Sequence, residues 1–274
     1  MPEILRSPTG IAGAVLLSLV AVAVLAGSFV APYDPQAFHP ATRLTGPSAA
    51  HWLGTDQFGR DLLSRLLNGA PSTIGFGLGA TLLGVGAGTV IGVIAGTAGG
   101  WVDSVIMRVL DGLLAVPELL FTLLIVTILG GGMGQAMLAV ALAFTPGMAR
   151  IARSSVLSIR TREYVLAAVA RGEPGCYIVL REVLPNALGP IIVEATIRVS
   201  FAIMIGATLG FLGLGAQPPS TEWGLMVAEG RQFMFRNPWV VAVPGVAIAL
   251  AALGFNLFGD ALRDSLDPRR SVRG

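Results

Sequence analysis

Six apolar stretches, each about twenty residues long, constrain this chain more than anything else in it: about 11–31, 74–98, 109–129, 134–152, 191–214 and 239–259. Roughly 20 helical residues cross the about 30 Å hydrocarbon core of a bilayer. In lipid, a segment must also satisfy its own backbone hydrogen bonds, which favours helices. The expected fold class is therefore all-α integral membrane, with six transmembrane helices. Charge supports this: only 12% of residues are charged and the mean hydropathy is +0.75, against about 25% charged in an ordinary soluble domain. The first stretch follows Arg6 and contains Ala26-Gly27-Ser28, which resembles a signal-peptide cleavage site. Its run exceeds the roughly 7–15 residues of a signal-peptide core, so it reads as a retained span.

Several chemistries are excluded. All 18 basic residues are Arg, and there is no Lys. A phosphate-binding loop of the G-x-x-x-x-G-K-[ST] type needs its Lys at the phosphates, so any ATP used must be hydrolysed on another chain. One cysteine, Cys176, allows neither an internal disulfide nor a zinc site. His39 and His51 stand twelve apart in a Pro-rich segment, and no H-E-x-x-H or G-x-S-x-G occurs. No catalytic residue, metal ligand, cofactor or nucleic-acid partner is expected.

Arginine placement sets the orientation, because short cytoplasmic loops carry the excess. With the N-terminus inside, Arg6, Arg108, Arg150, Arg153, Arg160, Arg162, Arg171, Arg181, Arg263, Arg269, Arg270 and Arg273 lie inside. Arg43, Arg60, Arg65, Arg231 and Arg236 lie outside, and Arg198 falls within a span. Both termini are expected in the cytosol of a bacterial cell, with the chain multi-pass in the cytoplasmic membrane.

The expected organisation is a short tail with the first span (1–31), an extracytoplasmic segment (32–73), a transmembrane domain (74–262) and a cytosolic tail (263–274). In 32–73, Thr55 or Asp56 can cap a short amphipathic helix whose apolar face is Phe58, Leu62, Leu63, Leu66 and Leu67. Gly84, Gly88, Gly92 and Gly96 put four glycines on one face of the second span. Such a groove lets another helix backbone approach closely, from this chain or from a partner subunit.

The segment EYVLAAVARGEPGCYIVLREVLPN (163–186) is a polar insert between apolar blocks. Glu163 to Arg171 has helix-forming composition, and Gly172 suits a helix stop. Pro174 can open a second helix, and Pro185 is expected to end it near the membrane. The pattern is a helix-turn-helix in the cytosol with small residues at its tip, suited to docking another protein.

The spacing of this insert resembles the cytoplasmic loop signature of ABC importer permeases. It reads Ala167-Ala168-Val169-Ala170-Arg171-Gly172, nine further residues, then Glu182-Val183-Leu184-Pro185. Four more stretches are similar to the C-type permease subunit of dipeptide, oligopeptide and nickel importers: LGTDQFGRDLLSRLL (53–67), GGWVDSVIMRVLD (99–111), FLGLGAQPPSTEWG (211–224) and FNLFGDALRDSLDPR (255–269). The resemblance implies a type I ABC importer permease fold and a coupling loop at 160–190 seated in an ATPase subunit. Glu163, Ala167, Ala168, Arg171, Gly172, Leu184 and Pro185 would form the contact. Glu163 would stand in for the family's acid, whose usual place here holds Leu166. It further implies a homologous permease as heterodimer partner, two ATPase subunits that hold ATP and Mg, and an extracytoplasmic binding protein. Di- or oligopeptides are the implied cargo, with nickel or metal chelates as the alternative.

Charged residues inside spans are functional candidates by default. Glu118, counted along a straight helix from Arg108 at about 1.5 Å per residue, is expected near the midplane, where it can line a path for cationic or amine-bearing cargo or be satisfied by a neighbouring helix, with Pro117 loosening the local backbone. Glu194 and Arg198 stand at i,i+4 and can pair with each other or meet the partner permease; Arg108 and Asp111 can pair at i,i+3. Asp260 and Asp264 are expected to frame the inner mouth. The long segment around Gln217-Pro218-Pro219 and Trp223 reads as an ordered lid, packed on its own helices or facing the binding protein. A stand-alone secondary transporter would need paired midplane ionisable groups and usually an inverted repeat; one midplane acid and no repeat are found. A membrane enzyme would need a nucleophile or metal constellation, which is missing.

Overall fold

The computed structural model describes residues 7–266. Arg6, Arg269, Arg270 and Arg273 of the topology count, and the end of the 255–269 motif, lie outside them. The described residues form ten α-helices: α1 (Pro8–Val30), α2 (Leu62–Ala98), α3 (Gly100–Leu114), α4 (Glu118–Leu129), α5 (Met133–Arg160), α6 (Glu163–Ala170), α7 (Gly175–Tyr177), α8 (Leu184–Phe211), α9 (Trp223–Gly230) and α10 (Trp239–Leu266). A π-helical turn, Ile178–Val183, joins α7 to α8, so Gly175–Phe211 runs as one helix of 37 residues.

Among the described residues, five helices are long and apolar enough to cross a membrane, and a sixth crossing is made if the bent pair α3–α4 counts as one. The third expected span is therefore not a straight helix. Residues 115–117 break it, and the two halves stand 90° apart. Pro117 explains the break: it lacks the N–H a continuing helix needs and pushes Val116 out of the helical region.

Two more expectations are corrected. No amphipathic helix begins at Thr55 or Asp56. Residues 55–61 form a tight loop closed by a bridge between Thr55 and Asp61. Asp61 is the true N-cap, its Oδ2 accepting from Ser64 N at 2.8 Å and Ser64 Oγ at 2.7 Å. The helix that follows is α2 itself, which at 37 residues is about 55 Å long and overruns the bilayer core. Pro185 does not end a helix either. It sits in the first turn of α8, where the N–H that proline lacks costs least, and the π-helical turn before it shifts the local hydrogen bonding. At the other end of the chain α10 extends to Leu266, into the segment expected to be tail.

The helices α2, α5 and α8 form the centre. A β-carbon at Gly84, Gly88 or Gly92 would meet the α5 backbone: Ala141 O at 2.7 Å, Thr145 O at 2.7 Å and Ala149 O at 2.3 Å. One at Gly96 would meet Val156 Cγ1 at 2.9 Å. The glycine face is thus filled by this chain's own α5, not left open to a partner. Three apolar clusters stack along the bundle. One surrounds Leu62, Ile74, Trp223 and Val240; the next holds Phe76, Val126, Phe144 and Leu209; the last holds Met148, Val156, Val165, Val183 and Ile191.

Candidate functional site

The polar insert lies at the end of the bundle where α5 runs out. α6 ends in a Schellman motif: Glu173 N donates to Ala168 O at 3.2 Å and Gly172 N to Val169 O at 2.9 Å. Gly172 has φ +78° and nothing within 4 Å of a β-carbon. Backbone conformation alone, not crowding, demands glycine there. The insert has two faces. Val165 is buried against the end of α5 and Val183, and Ala168 is fully buried as well. Glu163, Tyr164, Leu166, Ala167, Val169, Arg171, Gly172 and Pro185 are exposed, and Leu184 is half-buried. The Ala-Ala pair is thus split: Ala167 belongs to the presented surface, and Ala168 seats the helix. Arg171 Nε pairs with Glu173 Oε1 at 3.7 Å across the turn.

Arginines on α5 tie the insert's supporting helix to its neighbours. Arg153 grips Asp103 of α3 with Nε and Nη2, each at 2.5 Å. Arg150 Nη2 reaches Asp111 at 2.5 Å, so Asp111 pairs there and not with Arg108 as expected. Arg160 Nη1 donates to Gly96 O at 2.6 Å, at the end of α2.

The three charged residues singled out for the path come together. Arg198 Nη1 donates to Glu118 Oε1 at 2.7 Å, and Arg198 Nε to Glu194 Oε1 at 3.0 Å. The guanidinium also lies 5.0 Å from the centre of the Phe144 ring. The depth of Glu118 cannot be counted along a straight helix, because the 90° break intervenes. Glu118 instead opens α4, where the unpaired N–H groups of the first turn favour an anion. Asp260 and Asp264 lie on the last turns of α10.

At the opposite end, the lid is bolted down. Trp223 Nε1 donates to Leu66 O at 2.9 Å, and Trp223 N to Thr73 Oγ1 at 3.1 Å. A β-carbon at Gly69 would overlap Thr221 O. Glu222 caps α9 by accepting from Gly224 N at 2.9 Å and Leu225 N at 2.8 Å. Beside it Arg60 and Arg65 converge on Glu229 Oε2 at 3.1 and 2.9 Å, and Arg60 Nε pairs with Asp56 at 2.5 Å. His51 Nδ1 lies 2.9 Å from Asp61 Oδ1. The sequence reading missed this network. The i,i+4 spacing of Asp56 and Arg60 was its one local signal; Glu229 is distant in sequence.

Comparison with known proteins settles the family. Residues 88–272 match the model for binding-protein-dependent transport system inner membrane components. The chain belongs to this family. The permease is 46% identical over 231 residues, 84% of its length and 76% of the relative's, to the dipeptide transport system permease protein of Alkalihalophilus pseudofirmus. Its identity to the glutathione transport system permease protein of Pectobacterium atrosepticum is 41% over 259 residues, 94% of this chain and 86% of that one. Its fold matches a chain of the inward-facing MetNI methionine ABC transporter with a TM-score of 0.61 at 19% identity, covering 74% of this permease and 96% of that chain. The permease is a multi-pass membrane protein of the type I ABC importer fold, built to work with an ATPase and a binding protein.

Proposed function

We propose that this permease forms one half of a heterodimeric pore for di- and oligopeptides, with both termini in the cytosol of a bacterial cell. Two ATPase subunits, which hold ATP and Mg, dock on the insert around Gly172. A binding protein delivers cargo at the lid end. The chain itself catalyses no reaction and carries no cofactor. Peptide cargo is supported by relatives named for dipeptide and di/tripeptide transport.

The observation that carries the docking role is the two-faced insert. One face is locked into the core by Val165 and Ala168, while the other presents exposed Tyr164, Leu166 and Val169 beside a left-handed glycine tip. A loop that merely connected two helices would not need to expose apolar residues on a rigid frame. The test is Gly172→Val in the assembled transporter. A β-branched residue at φ +78° costs about 1–2 kcal/mol of strain and reshapes the tip. Peptide uptake and ATPase recruitment are both expected to fall, with a drop in melting temperature of no more than about 2–8 °C. Normal uptake with normal recruitment refutes the docking role.

A further inference from the structure

Glu194 is not used up by its ion pair. Its Oε1 accepts from Arg198 Nε at 3.0 Å, and Oε2 takes no hydrogen bond among the described residues. Arg198 already has Glu118 at 2.7 Å. Two carboxylates on one guanidinium leave one formal negative charge over. Surplus charge inside a membrane protein is expensive, and a fold that needed only to neutralise Arg198 would keep a single acid.

Glu194 also forms part of the wall of a cavity of about 560 Å³ between α5, α8 and α10. That volume lies within the roughly 300–1,000 Å³ of small-molecule pockets. Ile151, Val193, Ile197 and Leu266 supply apolar wall. Arg263 of α10 lines the same cavity, is exposed, and forms no ion pair among the described residues. One cavity thus offers a carboxylate with a free oxygen, an unpaired guanidinium and an apolar surface. The ammonium of a small zwitterion suits Glu194, and its carboxylate suits the planar fork of Arg263.

We propose that this cavity is a binding site for a small zwitterion, whose ammonium group meets Glu194 and whose carboxylate meets Arg263. The further step, that the zwitterion is a free dipeptide in transit, rests on the peptide reading above.

The experiment uses the full transporter in proteoliposomes, with Cys176→Ser and a reporter Ile197→Cys in the cavity wall. The rate at which a neutral thiol reagent labels the reporter reads whether the cavity is occupied. Alanyl-alanine slows labelling, whereas N-acetyl-alanyl-alanine amide, which lacks both terminal charges, does not. Glu194→Gln and Arg263→Gln each abolish the protection. Glu194→Gln leaves Arg198 paired with Glu118, so an unchanged melting temperature is expected and separates loss of a site from loss of fold. Absent protection, or protection equal for both peptides, overturns the site. Alanyl-alanine uptake by the unsubstituted transporter is measured in parallel. Uptake without protection overturns the cavity and spares the peptide reading; protection without uptake overturns the peptide reading and leaves a zwitterion site.

Discussion

Replacing Gly92 by alanine adds one methyl group at the tightest point between α2 and α5. That carbon would lie 2.3 Å from Ala149 O, 2.8 Å from Ala152 Cβ and 2.9 Å from Arg153 N. Two of these three atoms are backbone, so no rotamer change relieves the clash, and the helices must part by about 1 Å. A gap of about 0.5–1 Å forfeits a quarter to a half of each dispersion contact it opens, and Gly84, Gly88 and Gly96 share the seam. Overpacking a tight core costs about 1–3 kcal/mol; with two backbone atoms in the way, about 3 kcal/mol is expected here. Gly86 provides the control. It lies on the same helix with nothing within 4 Å of a β-carbon, and alanine there gains up to about 1 kcal/mol of helix propensity. At roughly 2–4 °C per kcal/mol for a chain of this size, Gly92→Ala should melt about 6–12 °C below the parent, and Gly86→Ala at or above it. Melting of the purified transporter in detergent, followed by tryptophan fluorescence, reads both. Equal melting of the two variants would show that α2 and α5 do not meet along this seam in the assembled protein.

The lid carries a pH prediction. Burial holds the Glu222 carboxyl above its ordinary 4.5, outweighing the N–H groups of Gly224 and Leu225 that favour its anion. The folded lid therefore binds that proton more tightly than the unfolded chain. Its contribution to stability is present below 4.5 and is lost as pH rises through the folded value. The melting temperature of the parent minus that of Glu222→Gln should fall as pH is raised above 4.5; a constant difference refutes the assignment. The orientation is checked on the exposed native Cys176, which a membrane-impermeant maleimide should label in inside-out vesicles and not in right-side-out ones.

The long helices were legible in the sequence because their signal is local. Ser7 caps α1 through Gly10 N at 3.0 Å, and an apolar run of span length follows directly. The α6 turn was legible for the same reason: Gly172 has one conformation to supply and no neighbour to satisfy. The misses arise where two local rules compete or where a partner is distant. Phe58 to Leu67 shows helical periodicity, yet Asp61 caps more strongly than Thr55 or Asp56 and places the helix start at Leu62. Asp111 had Arg108 within helical reach, but Arg150, 39 residues away, takes it. The Glu194–Arg198 pair could be read from spacing. Its third member, Glu118, is 80 residues from Arg198 and is brought there by the bend at Pro117, which apolar length alone conceals.

The joints of the structure define what a push on the insert would move. α5 enters the insert and the helix containing α8 leaves it, so both inherit any displacement of α6, which Val165 fixes to them. Arg153 and Arg150 carry the motion of α5 to α3 through Asp103 and Asp111, and the bend at residues 115–117 gives α3 and α4 an elbow about which to move. Glu118 then ties α4 back to α8 through Arg198. These contacts form a closed circuit of α5, α3, α4 and α8 whose ion pair at Glu118 is a side-chain joint; the glycine seam that holds α2 to α5 beside it is backbone against backbone. An ATPase docked on the insert, as proposed above, would shift such a circuit only through contacts that differ between its two states. When the side-chain joint opens, Arg198 keeps Glu194 as a partner while Glu118 is left unpaired, whereas the seam must stay packed or be lost. The Glu118–Arg198 contact is therefore where two arrangements of the helices can differ, and it adjoins Glu194 in the wall of the cavity between α5, α8 and α10.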